Sequence, residues 1–449
     1  MARFLKTISR GFASKVFLLL GDVAGLLLIF NLVHMVRMGV PIKLGSGPIW
    51  GIVLITVVTL YIMDVYRTEM PITRARLPLQ TFLAVPVAAV LTALFVYFLG
   101  IESFISIFGR GVMPIAFLLF SLWAASLRWL LTRLHLKYGD KLTWLLLMDT
   151  ELASQLQEDL GGNDVGYPQY VDVYNPQEVV AHFPENLEVD KYGLVVGDIS
   201  QLDDTIIQKI SGLRFRGMRV YSYSAFYERY WSRIPALHLS KTWFLQASGF
   251  DRISDKVGLR FQRVIDVLVS VAGLLLLSPL LLVLMLLIPL TSPGGAVYRQ
   301  ERVGLNGKPF TLYKFRSMVA DAERDGPVWA QQDDPRITRL GKFLRTSRLD
   351  ELPQLVNIFK GEMSLIGPRP ERPEFVAQLR ERIPHYDLRH LLAPGLTGWA
   401  QVMYTYTSSV DEAARKLEND LYYIKNHSIQ LDFAILIKTV ILVVRRMGR

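Results

Sequence analysis

Residues 264–290 read VIDVLVSVAGLLLLSPLLLVLMLLIPL, 27 residues with a single charge, Asp266, near the start. A helix needs roughly 20 apolar residues to cross a bilayer core, so this stretch is long enough. At its middle stands Leu277-Ser278-Pro279-Leu280. Proline removes an intrahelical N–H and clashes with the carbonyl four residues back, and a serine hydroxyl can bond the freed groups. Two arrangements are open. One is a kinked spanning helix. The other, which the sequence favours, is a helix that enters the inner leaflet, breaks at Ser278-Pro279 and returns to the same face. Crossing would export the basic C-terminal part, whereas returning keeps Arg299 onward on the entry side.

The surrounding composition agrees with a membrane setting. The 449 residues are 51% hydrophobic and 20% charged, which excludes intrinsic disorder and argues against a plain soluble enzyme. A net charge of +10 in so apolar a chain points to anionic lipid or phosphorylated substrates before nucleic acid. With no cysteine, disulfides, thiolate zinc sites, iron–sulfur ligation and cysteine nucleophiles are excluded. No HExxH pair exists among the histidines, which removes a zinc protease.

Four apolar stretches, 12–35, 49–66, 79–99 and 112–131, approach spanning length. The first reads as a signal anchor, with Asp22 as a partnered polar residue. Arg3, Lys6, Arg10 and Lys15 precede the first stretch, and Arg67, Arg74 and Arg76 lie between the second and third. Arg128, Arg133, Lys137 and Lys141 follow the fourth, against Arg37, Lys43 and Arg110 in the other two loops. The excess of cations places the N-terminus and everything after Lys141 in the cytoplasm.

Residues 142–148, 170–174, 193–199 and 219–223 are short apolar runs alternating with the polar, helix-like segments 150–160, 176–182 and 201–213. That βαβα rhythm predicts a small Rossmann-like sheet. A dinucleotide site needs glycines after the first strand, and Met148-Asp149-Thr150-Glu151 has none, so scaffolding or regulation is expected there. The fold class expected is a membrane protein, α plus α/β. A four-helix transmembrane bundle (1–138) precedes a Rossmann-like cytoplasmic domain (139–237). A linker (238–258) then leads to a mostly helical C-terminal catalytic domain (259–449) with the re-entrant helix at about 264–290. Residues 429–444, apolar but interrupted by Asp432 and Lys438 and followed by Arg445-Arg446, are too short to span and suit a helix lying in the interface.

Between the two membrane-touching pieces lie five polar signals. Tyr313-Lys314-Phe315-Arg316-Ser317-Met318 sets two cations around an aromatic, and alone suits a solvated face. In Arg345-Thr346-Ser347-Arg348-Leu349-Asp350-Glu351-Leu352-Pro353-Gln354-Leu355, Pro353 belongs in a first helical turn, so a helix should start near Asp350. Two carboxylates at a positive helix end can turn toward one metal ion, or can simply cap it. Gly367-Pro368-Arg369-Pro370 holds Arg369 on a stiff backbone, preorganised for bidentate contact with phosphate, or forms a rigid turn with exposed arginines. Pro394-Gly395-Leu396-Thr397-Gly398-Trp399 reads as a tight loop with Trp399 as a packing anchor. Asp420-Leu421-Tyr422-Tyr423-Ile424-Lys425 ends an amphipathic helix begun near Val410 and fits a headgroup zone or an active-site rim. Together these imply phosphoryl chemistry on a substrate with one end in lipid. No GxxxxGK[ST] and no HRD/DFG set is present, so neither an NTPase nor a protein kinase fits.

These motifs, in this order from about Arg260 to Arg446 and led by Arg263 and Asp266, resemble the bacterial polyprenyl-phosphate sugar-phosphate transferases. Those enzymes start exopolysaccharide, O-antigen and capsule synthesis. The N-terminal layout looks like their large form. Two departures stand out: the middle module lacks a Gly-rich turn, and Ala393 stands where some relatives have arginine. The resemblance implies transfer of a hexose-1-phosphate from a UDP-sugar to undecaprenyl phosphate, releasing UMP through a phospho-aspartyl intermediate with Mg²⁺. It makes Asp350 the nucleophile and Glu351 a magnesium partner or base, both at the metal. Lys314, Arg316, Arg345, Arg348, Pro368, Arg369 and Pro370 become substrate-binding residues, and Ser278 and Pro279 set the depth of the broken helix. The implied partners are a UDP-sugar, undecaprenyl phosphate, the lipid bilayer and a second copy as a homodimer, with no nucleic acid. The implied location is the bacterial inner membrane, multi-pass, with the catalytic face in the cytoplasm. Which hexose is used is not encoded in any segment, glucose being weakly preferred to galactose. Two rival readings are a glycosyltransferase using Asp203-Asp204 in place of a DxD metal motif, and a membrane scaffold or flippase component whose carboxylates are helix caps.

Overall fold

A computed structural model of the chain describes residues 11–42, 45, 47–63, 65–66, 76–99, 111–138, 142–161, 169–174, 187–189, 191–239, 243–250, 253, 255–319, 322, 334–404 and 410–444. Most of the described residues are helical, and they divide into two compact units, Met1–Tyr230 and Trp231–Arg449.

The first unit opens with four helices, α1 (Gly11–Met38), α2 (Gly47–Ile62), α3 (Arg76–Leu99) and α4 (Val112–Tyr138). All four feed one core containing Leu26 and Phe30, Ile52 and Leu60, Val85 and Ala88, and Phe117 and Phe120. Their outer faces stay apolar, with Leu28, Leu54, Val90 and Leu118 exposed. Segments Ala13–Met38 and Val112–Arg133 are long and apolar enough to cross a membrane, whereas the apolar parts of α2 and α3, Ile49–Ile62 and Ala84–Tyr97, are shorter. Close approach of α1 and α4 depends on small residues. A Cβ on Gly25 would lie 2.2 Å from Trp123, whose Nε1 donates to the Gly21 carbonyl at 3.1 Å.

Asp22 finds its partner inside this core. Arg128 Nη1 and Nη2 donate to its two carboxylate oxygens at 2.8 and 2.7 Å, and Tyr66 Oη adds a third donor at 2.8 Å. Both charged side chains are 0% exposed. Arg128 therefore lies within α4 rather than after it, and its charge neutralises Asp22 instead of orienting the bundle. Arg3, Lys6, Arg10, Lys43, Arg67, Arg74, Arg110 and Lys141 lie outside the described residues.

Beyond α4, strands β1 (Thr143–Leu147), β2 (Gln169–Tyr174), β3 (Tyr192–Val196) and β4 (Arg219–Ser222) form one parallel sheet in the order β2-β1-β3-β4. Their continuous apolar runs, such as Leu145–Leu147 and Leu194–Val196, suit a sheet buried on both sides. Helix α5 (Thr150–Gly161) follows β1 at once, with Ala153 N–H bonded to the Asp149 carbonyl. Asp203 caps α6 (Asp204–Phe215) by accepting from Thr205 N–H at 2.8 Å. The helix-like segment 176–182 lies outside the described residues.

In the second unit, α7 (Lys256–Leu276) and α8 (Ser278–Thr291) meet at a 63° bend. Pro279 occupies the first turn of α8, where its missing N–H costs nothing, and Ser278 Oγ donates back to the Leu275 carbonyl at 2.8 Å. An antiparallel hairpin of β5 (Val297–Val303) and β6 (Pro309–Phe315) follows, then α9 (Arg339–Thr346). Arg348 adopts a left-handed conformation (φ 59°) and a 3₁₀ turn spans Leu349–Glu351. Regular helix resumes only at α10 (Gln354–Lys360), so the helix expected near Asp350 begins four residues later. Pro353, with no N–H to donate, stands at the N-cap of α10, directly after the 3₁₀ turn.

Strands β7 (Ser364–Ile366) and β8 (Gly395–Thr397) pair in parallel. Three glycines allow this: a Cβ at Gly395 would sit 2.0 Å from Gly367 N, and one at Gly398 2.1 Å from the Gly367 carbonyl oxygen. Helices α11 (Pro373–Arg382), α12 (Val410–Asn426) and α13 (Ile429–Val444) complete the unit around Ile366, Leu379, Trp399, Leu421, Tyr423 and Ile435. Trp399 is buried and donates to the Ser232 carbonyl at 2.9 Å. Tyr422 and Tyr423 are core residues rather than headgroup ligands. The interruptions in α13 also face protein: Asp432 accepts from Tyr423 Oη at 2.8 Å, and Lys438 lies 4.7 Å from the Trp399 ring.

Replacing Arg128 by leucine strands the Asp22 carboxylate in an apolar core, and breaking such a pair costs about 3–5 kcal/mol. The expected result is a clearly lowered unfolding midpoint in detergent for Arg128→Leu, largely recovered when Asp22→Leu is added to the same chain.

Candidate functional site

Asp350 and Glu351 are buried side by side on the 3₁₀ turn between Arg348 and α10. Neighbours on a turn this tight diverge, and the two carboxylates meet different surroundings. Glu351 Oε1 faces three cations: Arg369 Nη2 at 2.9 Å, Lys314 Nζ at 3.4 Å and Arg348 Nη1 at 3.5 Å. Asp350 Oδ1 is buried with no hydrogen-bond partner among the described residues.

Electrostatics separate the pair further. Burial and the adjacent Glu351 charge push Asp350 above the ordinary carboxylate range, partly offset by Lys314, Arg345 and Arg348. Burial also opposes ionisation of Glu351, but Arg369, Lys314 and Arg348 outweigh it and hold that carboxyl well below the usual range. Burial drives the Lys314 ammonium down to about 8 against the pull of Glu351. Glu351 is thus an ionised anchor, and Asp350 is the group left to meet a ligand.

Arg369 reaches Glu351 because its backbone is gripped on both sides. A residue before proline is confined to extended conformations, and neither Pro368 nor Pro370 carries an N–H that needs a partner. All three carbonyls of the Pro-Arg-Pro run are engaged. Gly395 N–H donates to that of Pro368 (2.9 Å), Arg389 Nη2 to that of Arg369 (2.9 Å), and Arg302 Nη1 to that of Pro370 (3.0 Å). Arg389 is itself buried between Asp420 Oδ2 (2.9 Å) and Tyr386 Oη (2.6 Å). Glu371 sits beside Arg302 and is held low, despite burial, by Lys416, Arg389, Arg302 and Arg369.

Of the remaining sequence candidates, Arg345 acts on Asp350 through its charge, and the others serve structural ends. Strand alternation would put Lys314 and Arg316 on one face, but β6 ends at Phe315. Arg316 instead donates to the Ser292 and Pro293 carbonyls (2.5 and 2.8 Å), closing the C-terminal end of α8. Arg345 Nε donates to Ser317 Oγ at 2.8 Å. Ser278 and Pro279 form the helix break.

Arg389, Arg302 and Glu371 have no assigned role in the sequence reading, and Asp420 enters there only at the head of a motif fitting a headgroup zone or an active-site rim. A signal existed for Asp420: Ala413, Leu417, Leu421 and Ile424 mark the buried face of α12, and Asp420 falls on it. A carboxylate there demands a buried cation. Among the described residues no group of three or more metal-ligating side chains occurs. A dyad with one unpartnered oxygen still suits Mg²⁺, which characteristically takes one or two carboxylates and completes its shell with water and substrate phosphate.

A cation-ringed acidic turn beside a broken apolar helix defines a membrane protein with a site suited to phosphate. Residues 257–446 match the family model described as bacterial sugar transferase. A UDP-N-acetylgalactosamine-undecaprenyl-phosphate N-acetylgalactosaminephosphotransferase of Aeromonas hydrophila is 48% identical over 179 residues, 40% of this chain and 42% of that protein's length. A putative undecaprenyl-phosphate N-acetylgalactosaminyl 1-phosphate transferase of Bacillus subtilis is 47% identical over 156 residues, 34% of this chain and 87% of the relative. A UDP-glucose:undecaprenyl-phosphate glucose-1-phosphate transferase of Escherichia coli is 39% identical over 193 residues, 42% of each chain. The chain belongs to the bacterial sugar transferase family.

Because Arg389 is buried against Asp420, Asp420→Leu removes its hydrogen-bonded carboxylate and is expected to cost about 3 kcal/mol. The check is the denaturant midpoint of the full chain in detergent; a midpoint unchanged from wild type refutes the clamp.

Proposed function

We propose that this protein transfers a sugar-1-phosphate from a UDP-sugar to undecaprenyl phosphate, releasing UMP, at the cytoplasmic face of a bacterial inner membrane. The product would start an exopolysaccharide, O-antigen or capsule. The relatives' names supply the substrate classes. The observation that carries the chemistry is the unequal dyad, one carboxylate saturated by cations and its neighbour buried with a free oxygen.

In this reading an Asp350 oxygen attacks the β-phosphorus of the donor. The bond from that phosphorus to the bridging oxygen breaks, UMP leaves with the electron pair, and the sugar-1-phosphoryl group rests on Asp350. An oxygen of the lipid phosphate then attacks the same phosphorus, the acyl-phosphate bond breaks, and the carboxylate is restored. Both nucleophiles are anionic, so no proton has to be removed, but anion–anion repulsion must be offset. Lys314, Arg369 and the more exposed Arg348, all within 3.5 Å of Glu351, would do that, together with Arg345, whose charge acts on Asp350. Two steps at one carboxylate let the water-soluble nucleotide depart before the lipid acceptor engages. Bound Mg²⁺ would be held by Asp350, with Glu351 behind it, and would supply positive charge to the diphosphate oxygens.

We further read α7 and α8 as a re-entrant helix pair and α1–α4 as a four-span bundle. The parallel sheet is read as a Rossmann-like scaffold. The apolar exposed faces of α1–α4 and the 63° break support the membrane part. The glycosyltransferase alternative loses support because Asp203 caps α6.

The test is a donor panel of UDP-glucose, UDP-N-acetylgalactosamine and UDP-galactose labelled at the β-phosphate, with undecaprenyl phosphate present. Label should enter the lipid product and UMP should appear; label retained in UDP sinks the reading. Asp350→Asn preserves size and capping ability, so it should abolish UMP release while leaving the fold intact.

A pH profile follows from the same groups. Asp350 must be ionised, and its raised pKa places loss of activity on acidification at higher pH than for an ordinary aspartate. Lys314 must be protonated, so kcat/KM for the donor should fall as pH rises through about 8. Lys314→Arg removes that titration and should extend the alkaline limb upward.

A further inference from the structure

The first half of α7 carries three polar side chains on one face, and all three bind the body that holds the dyad. Arg263 Nη1 and Nη2 donate to the Ile358 and Phe359 carbonyls at 2.5 and 2.6 Å. These belong to the last turn of α10, where the Ile358 carbonyl also accepts Gly361 N–H at 3.0 Å and helix-end carbonyls otherwise lack an intrahelical donor. Asp266 Oδ1 accepts from Leu365 N–H at 2.9 Å, and Gln262 Nε2 donates to Ser364 Oγ at 3.0 Å, both on β7. Gly361, left-handed at φ 88°, ends α10 and makes room, since a Cβ there would stand 3.3 Å from Arg263 Nη2.

The other face of α7 is apolar and exposed, at Phe261, Val264, Leu268 and Leu275. The helix deepens its grip further along, where a Cβ on Gly273 would lie 3.1 Å from Leu355 and Leu274 packs against Leu355, Ile358 and Met363. α10 has seven residues and is about 10 Å long, with the dyad turn at one end and Arg263 at the other. Any shift of the Arg263 end therefore tilts the dyad relative to α7.

We propose that Arg263, backed by Asp266, is a positioning residue that fixes the height and tilt of the Asp350–Glu351 turn over the bilayer, and that it serves the lipid-acceptor step rather than the donor step. The proposal rests on the function stated above. The asymmetry comes from where the two substrates are held. A water-soluble donor binds to Lys314 and Arg369, which travel with the dyad, and reaches it at any height. The phosphate of a lipid acceptor is confined to the headgroup plane, so only this partner senses a displacement of the dyad along the membrane normal.

The experiment uses the full chain in lipid nanodiscs. UMP release in a single turnover without acceptor reports the donor step. Steady-state kcat/KM for undecaprenyl phosphate, with the donor from the panel that wild type accepts, reports the acceptor step. For Arg263→Gln, UMP release should stay within about twofold, while kcat/KM for the acceptor falls roughly 10–100-fold, the loss expected for a misplacement of about 1 Å. Arg263→Lys keeps one donor on the α10 carbonyls and should recover much of the acceptor step. Equal losses in both steps for the folded Lys variant, or an unchanged acceptor step in Arg263→Gln, overturn the proposal. Wild-type protein that releases no UMP from any donor refutes the function itself, and the positioning role falls with it by that separate observable.

Discussion

The second unit turns on a single buried carboxylate, Glu351, and the cations gathered on it. Burying an ion costs several kcal/mol after relaxation. One pair at about 3 Å and an effective dielectric of about 20 gives back a gross attraction of roughly 5 kcal/mol, so a single partner would do little more than break even. Glu351 has three, contributed by β6, by the left-handed residue before the turn, and by the Pro-Arg-Pro run. Arg348 is the weakest of them, being the most exposed at 41% and at 3.5 Å. The cluster therefore joins three separate chain segments at the point where Asp350 stands, and it does so without drawing on Asp350 Oδ1.

A second layer of charge keeps the first in register. Arg369 can be both stiff and correctly aimed because Arg302 and Arg389 hold the carbonyls around it, and Arg389 is held in turn by Asp420 from α12. Charge-assisted hydrogen bonds of this kind fix direction as well as distance. The Gly367–Gly395–Gly398 contact performs the same service sterically, since backbone approaches backbone more closely than any side chain would allow. Anchoring of the apolar helix follows the same pattern, with Arg263 and Asp266 bonded to main-chain groups of α10 and β7.

What could be read in the sequence was what local rules decide. A proline in a long uncharged run predicts a break near Pro279, and the motif order from Arg263 to Tyr423 leads to the family. Trp399, directly after Gly398, is legible as an anchor because a large ring beside a tight loop has to be buried. Pairings between distant residues were not legible. Nothing near Asp22 announces Arg128, 106 residues away, and the same side chain read as a surface cation until its helix was seen to run past it. Arg316 looked equivalent to Lys314 because both flank one aromatic, but the strand ends between them and alternation no longer applies. The start of α10 was misplaced because a 3₁₀ turn and a left-handed Arg348 have no sequence signature of their own.

That irregular turn is also what makes two adjacent carboxylates do different work. Divergence alone does not do this, since neighbours on a regular helix also point about 100° apart. Here the left-handed step at Arg348 turns the chain so that its own guanidinium comes back toward Glu351, while the 3₁₀ turn buries both acids. Glu351 stays ionised because its cations outweigh burial. Its charge then raises the proton affinity of Asp350, whose nearer compensation is smaller. A carboxylate that is costly to keep ionised and has an unsatisfied oxygen is a better nucleophile, and a better seat for a cation, than one already neutralised. Exchanging the two residues would not exchange their roles, because the cations are placed for the second position and not the first.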